Sequence, residues 1–151
     1  MPVGIRPAVA QDRDALGELK LRASLAWGDH VQALQAMPEA RVVPAEHLPF
    51  MFVAEDAGVI LGFATVLSRP GPAAELEDLF VDPNCWRRGV GRLLAQEAEW
   101  RAQALGASSL HVIANDRARD FYVACGFEAL GVVATDLAPA TEMEKRFGTS
   151  G

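Results

Sequence analysis

The stretch from Glu75 to Leu94 changes its periodicity at a single point, and that change restricts the fold more than any other feature of the chain. Up to Val81 the residues alternate as they would in a strand, with Glu75, Glu77, Leu79 and Val81 on one face and Leu76, Asp78 and Phe80 on the other. Asp82-Pro83-Asn84 stops the strand. A turn carrying Gly89 and Gly91 follows, and a helix is predicted over residues 88–105, with Leu93, Leu94, Ala98 and Ala102 on one face and Gly106 closing it. A strand over 109–114, a helix over 116–125 closed by Gly126, and strands over 127–133 and 142–147 come next. Strand, helix and strand alternate through this half, so it must hold a parallel pair joined by a crossover.

The first half supplies the remaining layers. A short strand is expected over 3–9, then a helix over 11–26 on which Leu16, Leu19 and Ala23 recur at helical spacing. A second short helix is expected over 29–37, with Asp29 as its cap and Pro38 beyond it, and a loop over 42–49 between Pro44 and Pro49. The apolar runs 50–55 and 59–67 meet at Asp56-Ala57-Gly58 and read as an antiparallel hairpin. The expected architecture is mixed α/β: a central, twisted, mixed sheet of about six or seven strands flanked by about four helices. Residues 1–147 are read as one domain, and 148–151 as a frayed tail.

Composition narrows the function classes. The chain has 151 residues, half of them hydrophobic, so it can bury about two-thirds of its unfolded surface without a covalent staple. A net charge of −6 argues against a nucleic-acid binder. The start lacks a basic stretch followed by an apolar one, and no apolar run reaches membrane-spanning length, so a soluble cytoplasmic protein is expected. Cys85 and Cys125 form no disulfide framework, and His30, His47 and His111 share no ligand spacing, so no metal is expected. Trp27, Trp86 and Trp100 read as packing residues.

Against that acidic background, Arg87, Arg88 and Arg92 gather three positive charges at one helix start. The first amides of a helix have no intrahelical partner and carry partial positive charge. Gly89 and Gly91 leave them uncovered, so the segment suits a phosphate or pyrophosphate. It is not a P-loop, because Gly91 is followed by Arg92-Leu93 rather than Lys and a hydroxyl residue. The dinucleotide fingerprint also fails, because Leu94 stands where a third glycine belongs.

Farther along, Asn115, Ala118, Phe121, Tyr122, Gly126 and Phe127 form a second pattern. The two together resemble the GNAT N-acetyltransferases. That family has a strand ending near Val-Asp-Pro, then Gln/Arg-x-x-Gly-x-Gly/Ala, then an Asn followed by Ala-x-x-Phe-Tyr-x-x-x-Gly-Phe. One departure is Trp86, which occupies the Gln/Arg position.

The resemblance implies the GNAT fold and an enzyme that moves an acetyl group from acetyl-CoA to a primary amine, small molecule or peptide. It implies direct attack within a ternary complex. The cofactor-binding residues would be Leu79, Phe80, Val81, Arg87, Arg88, Gly89, Val90, Gly91, Arg92, Asn115 and Tyr122. Tyr122 would also protonate the leaving sulfur. Glu75 is the first candidate for the base, Glu77 the second and a water chain the third; a bulge in this strand would swap the faces beyond it. For Asn115, capping the following helix is an equal alternative. The acceptor would sit between residues 21–37 and 132–141, with Glu46, Glu75 and Asp136 favouring a cation. By analogy with the family the chain would pair as a homodimer. A non-catalytic CoA-binding domain is the alternative reading, and a different nucleotide binder the third.

Overall fold

The computed structural model describes residues 3–26, 28, 31–135 and 138–147. Seven strands hydrogen-bond in the order β1-β2-β3-β4-β5-β7-β6. They are β1 (Gly4–Pro7), β2 (Met51–Asp56), β3 (Val59–Ser68), β4 (Ala73–Val81), β5 (Ser109–Ala114), β6 (Glu128–Val133) and β7 (Ala140–Arg146). Four α-helices are described: α1 (Arg13–Leu25), α2 (Val31–Ala36), α3 (Val90–Ala104) and α4 (Arg119–Ala124). The β4–β5 pair is parallel, whereas β1–β2, β2–β3, β5–β7 and β6–β7 are antiparallel, so the sheet is mixed as expected. Among the described residues no helix is long and apolar enough to cross a membrane.

The chain divides into two compact units, one formed by residues 1–65 and 78–95 and the other by 66–77 and 96–151. In the first, Leu16, Leu19 and Ala23 of α1 lie within two turns on one helix face. They bury with Val43, Met51, Val53 and Phe63, and Phe80 packs against this cluster. Met51–Ala54 and Leu61–Val66 are buried at consecutive positions, as strands covered on both faces must be. The β2–β3 hairpin turns through Ala57 and Gly58, both at positive φ, which only glycine adopts without cost.

In the second unit, β5 is central and pairs in register with β7 from Ser109↔Arg146 to Ala114↔Thr141. Tyr122 on α4 is buried and meets Phe127 edge-on, with ring centroids 5.3 Å apart. Gly126, at φ +97°, ends α4. Lys145 Nζ lies 2.8 Å from Glu99 Oε2 and donates to the Cys125 carbonyl, so the α4 terminus is tied to β7.

Several boundaries differ from expectation. Residues 45–50 form a 3-10 helix rather than a loop, because i→i+3 bonds such as His47 N–H to Pro44 O (3.0 Å) do not need the amide that Pro49 lacks. The helix expected from 88 begins at Val90, since Arg87 and Gly89 take positive φ. The helix expected from 116 begins at Arg119, after a turn closed by the Asn115 side chain. Trp100 is 64% exposed and is therefore not a packing residue. Cys85 and Cys125 are not joined in a disulfide, and they are buried and half-buried respectively. Trp27, Asp29, His30, Asp136 and the 148–151 tail lie outside the described residues.

Gly62 allows β3 to approach the end of β4. A Cβ there would stand 2.7 Å from the Phe80 carbonyl oxygen and 3.0 Å from Leu94 Cδ1. Backbone cannot move aside as a side chain can, so Gly62→Ala is expected to lower stability by about 1–3 kcal/mol. Urea melts measure this, and a variant melting with the wild type would contradict the assigned contact.

Candidate active site

The β4–α3 junction is built from four interactions around one residue, two through its backbone and two through its carboxylate. Asp82 N–H donates to the Leu61 carbonyl (2.8 Å), and Cys85 N–H donates back to Asp82 O (2.8 Å). The Asp82 side chain accepts from Asn84 N–H at 3.0 Å and pairs with Arg22 of α1 at 2.8 Å. Burial pushes this carboxyl up, but the bonds from Asn84 and Arg22 outweigh it and hold the group below the usual carboxylate range. The chain then turns through Arg87 (φ +69°) and Gly89 (φ +81°) into α3.

The first amide of α3 to reach a carbonyl is that of Leu93, on Gly89 O at 3.1 Å. The amides of Val90, Gly91 and Arg92 precede it and make no backbone bond among the described residues. Arg87, Arg88, Gly89 and Arg92 are exposed, while the Val90 side chain is buried beneath them. Uncovered helix-start amides of this kind are donors of the sort that can receive an anion. Trp86 does more than pack: its indole N–H donates to the Val81 carbonyl at 3.0 Å. Leu79, Phe80 and Val81 are half-buried at the end of β4, with the Phe80 ring 5.6 Å from Phe63.

In the other unit, β4 and β5 pair only at Ala73↔Ser109, Ala74↔Leu110 and Glu75↔His111. Beyond that point Val112–Ala114 pair with β7 alone, so the two parallel strands part directly after Glu75. A cavity of about 400 Å³ is lined there by Leu67, Ser68, Arg69, Glu75, Leu76, Glu77 and Ile113. The Glu75 side chain is 16% exposed and forms an ion pair with Arg69. Burial raises its carboxyl above the ordinary value; Arg69 and His111 oppose the rise, and Glu77 adds to it. Glu77 is exposed.

Two groups at this site were not legible in the sequence. Arg69 follows β3 and holds Glu75 across the turn. His111, the register partner of Glu75, lies on the same side of the sheet, with its Nε2 3.0 Å from Glu144 Oε2 and its Nδ1 3.8 Å from Glu142 Oε2. Glu144 is held below its usual range chiefly by Arg146, against the upward pull of burial. Strand register brings His111 to Glu75 and Glu144. Tyr122 is buried between the rings of Phe121 and Phe127. Asn115 Oδ1 accepts from Ala118 N–H at 2.9 Å, the capping role weighed from the sequence. Of the acceptor-side acids, Glu46 is exposed on the 3-10 helix of the first unit. Among the described residues, no three His, Cys, Asp or Glu side chains gather as metal ligands would.

Comparison with known proteins gives this arrangement a class. The model of the acetyltransferase (GNAT) family matches residues 18–127. A GCN5-related N-acetyltransferase from Rhodopseudomonas palustris shares the fold with TM-score 0.78 at 24% identity, covering 97% of each chain. The PaiA N-acetyltransferase of Thermoplasma acidophilum, solved with coenzyme A, gives TM-score 0.81 at 18% identity, over 97% of this chain and 100% of that one. Nourseothricin acetyltransferase is 30% identical over 70% of this chain and 69% of its own, with TM-score 0.58. No curated protein sequence matches. The family match spans well over half of the chain, and the chain belongs to the GNAT acetyltransferase family.

The raised Glu75 carboxyl has a thermodynamic consequence. Its charged form is disfavoured in the fold, so the native state holds the proton more tightly than the unfolded chain does. Stability therefore falls as pH rises from the ordinary carboxyl value through the raised one. Glu75→Gln removes this loss. The melting-temperature difference, variant minus wild type, should be more positive at pH 7 than at pH 4. A difference that is flat or reversed between those pH values would contradict the burial assigned to Glu75.

Proposed function

We propose that this chain transfers an acetyl group from acetyl-CoA to a primary amine by direct attack in a ternary complex. The observation that carries the reading is the parting of β4 from β5 at Glu75, beside a cavity in which that carboxyl is half-buried. Acetyl-CoA supplies the activated acyl group and a thiolate leaving group. The amides of Gly89, Val90, Gly91 and Arg92, with the Arg87, Arg88 and Arg92 side chains, hold the diphosphate. Backbone groups of Leu79, Phe80 and Val81 pair with the peptide-like arm as with an added strand. Asn115 stays at the margin of this set, since its side-chain oxygen is engaged by Ala118.

Glu75 takes the proton of the incoming ammonium, leaving a lone pair free to attack the thioester carbon. Arg69 orients the carboxylate from the side of the turn. The new C–N bond forms as the C–S bond breaks. Tyr122 gives its hydroxyl proton to the sulfur and is reprotonated from the attacking nitrogen through solvent. The balance is one amide, one thiol and one released proton. A glutamate-lined cavity with Leu67, Leu76 and Ile113 as its apolar wall suits an amine that arrives as a cation.

The test is amine-dependent CoA release, measured with a polyamine, an aminoglycoside, free amino acids and short peptides as acceptors. Tyr122→Phe should lower kcat roughly 10- to 100-fold and leave the Kd for acetyl-CoA little changed. Glu75→Gln should lower kcat/KM for the amine by about 100-fold or more at neutral pH. Unaltered turnover in both variants would remove these residues from the mechanism, and CoA release that ignores every amine would remove acyl transfer to amines.

A further inference from the structure

Trp86 stands where the family pattern carries Gln or Arg, and its geometry gives it a different task. Its indole N–H donates to the carbonyl of Val81, the last residue of β4. Asp82 anchors the start of the turn to Leu61 and Arg22, and beyond it Cys85 N–H donates to Asp82 O (2.8 Å), Trp86 N–H to Pro83 O (3.3 Å) and Arg88 N–H to Cys85 O (3.3 Å). The latter bonds close the 82–88 turn on itself. The indole bond instead fastens the turn back to the strand, immediately before Arg87.

Arg87 is the residue that needs fastening. It sits at φ +69°, where a side chain with a Cβ is disfavoured, and it lacks the short polar side chain that lets Asn or Asp settle there. Such a conformation persists only where its surroundings over-determine it. Arg87 and Gly89, both left-handed, set the direction in which the chain enters α3, and so where the amides of Val90, Gly91 and Arg92 point. Relaxation of Arg87 would splay those amides. The charges would remain, but their convergence on one anion would be lost.

We infer that Trp86 is the positioning residue of the anion-binding turn, clamping Arg87 in its left-handed conformation through the indole–Val81 bond so that the α3 amides converge on a diphosphate. The inference rests on the proposed binding of acetyl-CoA by this turn. It assigns Trp86 no contact with the ligand. The family's polar side chain at this position is replaced here by a strut between strand and turn.

Calorimetric titration with acetyl-CoA of four proteins tests it: the wild type, Trp86→Phe, Arg87→Gly and the double variant. Trp86→Phe deletes the N–H and should weaken binding roughly fivefold to tenfold. Glycine adopts the left-handed conformation without a clamp, so in the Arg87→Gly background the same Trp86→Phe change should cost less than about twofold. A merely structural role for the tryptophan would show equal losses in both backgrounds. Equal losses, or a Trp86→Phe protein that binds within about twofold of the wild type, overturn the inference and leave the acetyl-CoA reading standing. A wild type that fails to bind acetyl-CoA overturns both. If Trp86→Phe does not fold, benzothienylalanine at position 86 keeps the ring's size, lacks the N–H and carries the same expected loss.

Discussion

The end of β4 is held at Asp82, and the β4–α3 junction of the first unit depends on that anchor. The backbone of Asp82 is bonded to Leu61 on β3 and to Cys85 in the turn, while its carboxylate caps Asn84 and pairs with Arg22 of α1. A hydrogen-bonded and paired carboxylate of this kind stays ionised because its partners stabilise the charge more than burial opposes it. Strand, turn and helix α1 are thus joined through one residue. The strand stops at a fixed place, and the turn begins there in a fixed direction. The uncovered amides of α3 follow that turn, and their direction depends on it.

The second unit uses its carboxylates differently. Glu144 is drawn down by Arg146, with His111 adding to the effect, while Glu75, in the adjoining strand register, is pushed up by burial despite Arg69. Neighbouring positions on one side of the sheet therefore hold a firmly ionised carboxylate and one whose charge is costly. Divergent environments of this sort separate acid–base roles in active sites. The parting of β4 and β5 keeps Glu75 beside a cavity instead of beneath a continuous ladder.

The parts of this arrangement that lie close together in the chain were readable from the residues. The strand stop at Asp82-Pro83, the glycines of the turn and the pattern from Asn115 to Phe127 are all local, and local chemistry sets them; on α3, Leu94, Ala98 and Ala102 are buried as expected, whereas Leu93, expected on the same face, is 38% exposed. Helix starts were misjudged by two or three residues, since a non-glycine residue at positive φ (Arg87) and a side-chain cap (Asn115) leave little trace in hydrophobic periodicity. The 3-10 segment around Pro49 was missed because proline signals a break without saying which kind of turn replaces the helix. His111 and Arg69 were invisible as site residues. The His111–Glu144 pair spans 33 positions and exists only through the β5–β7 register, which no spacing rule encodes. Trp86 departs from the motif, and nothing in its spacing announces the bond from its indole N–H to the Val81 carbonyl.

We propose that the turn at 87–92 receives the diphosphate of acetyl-CoA through its backbone. Amide proton–nitrogen correlation spectra recorded during a titration with acetyl-CoA address this most directly. The amides of Gly89, Val90, Gly91 and Arg92 should shift together and saturate at one concentration, among the largest changes in the spectrum. Saturable shifts elsewhere with these four amides unmoved would contradict it, as would a spectrum that acetyl-CoA leaves unchanged.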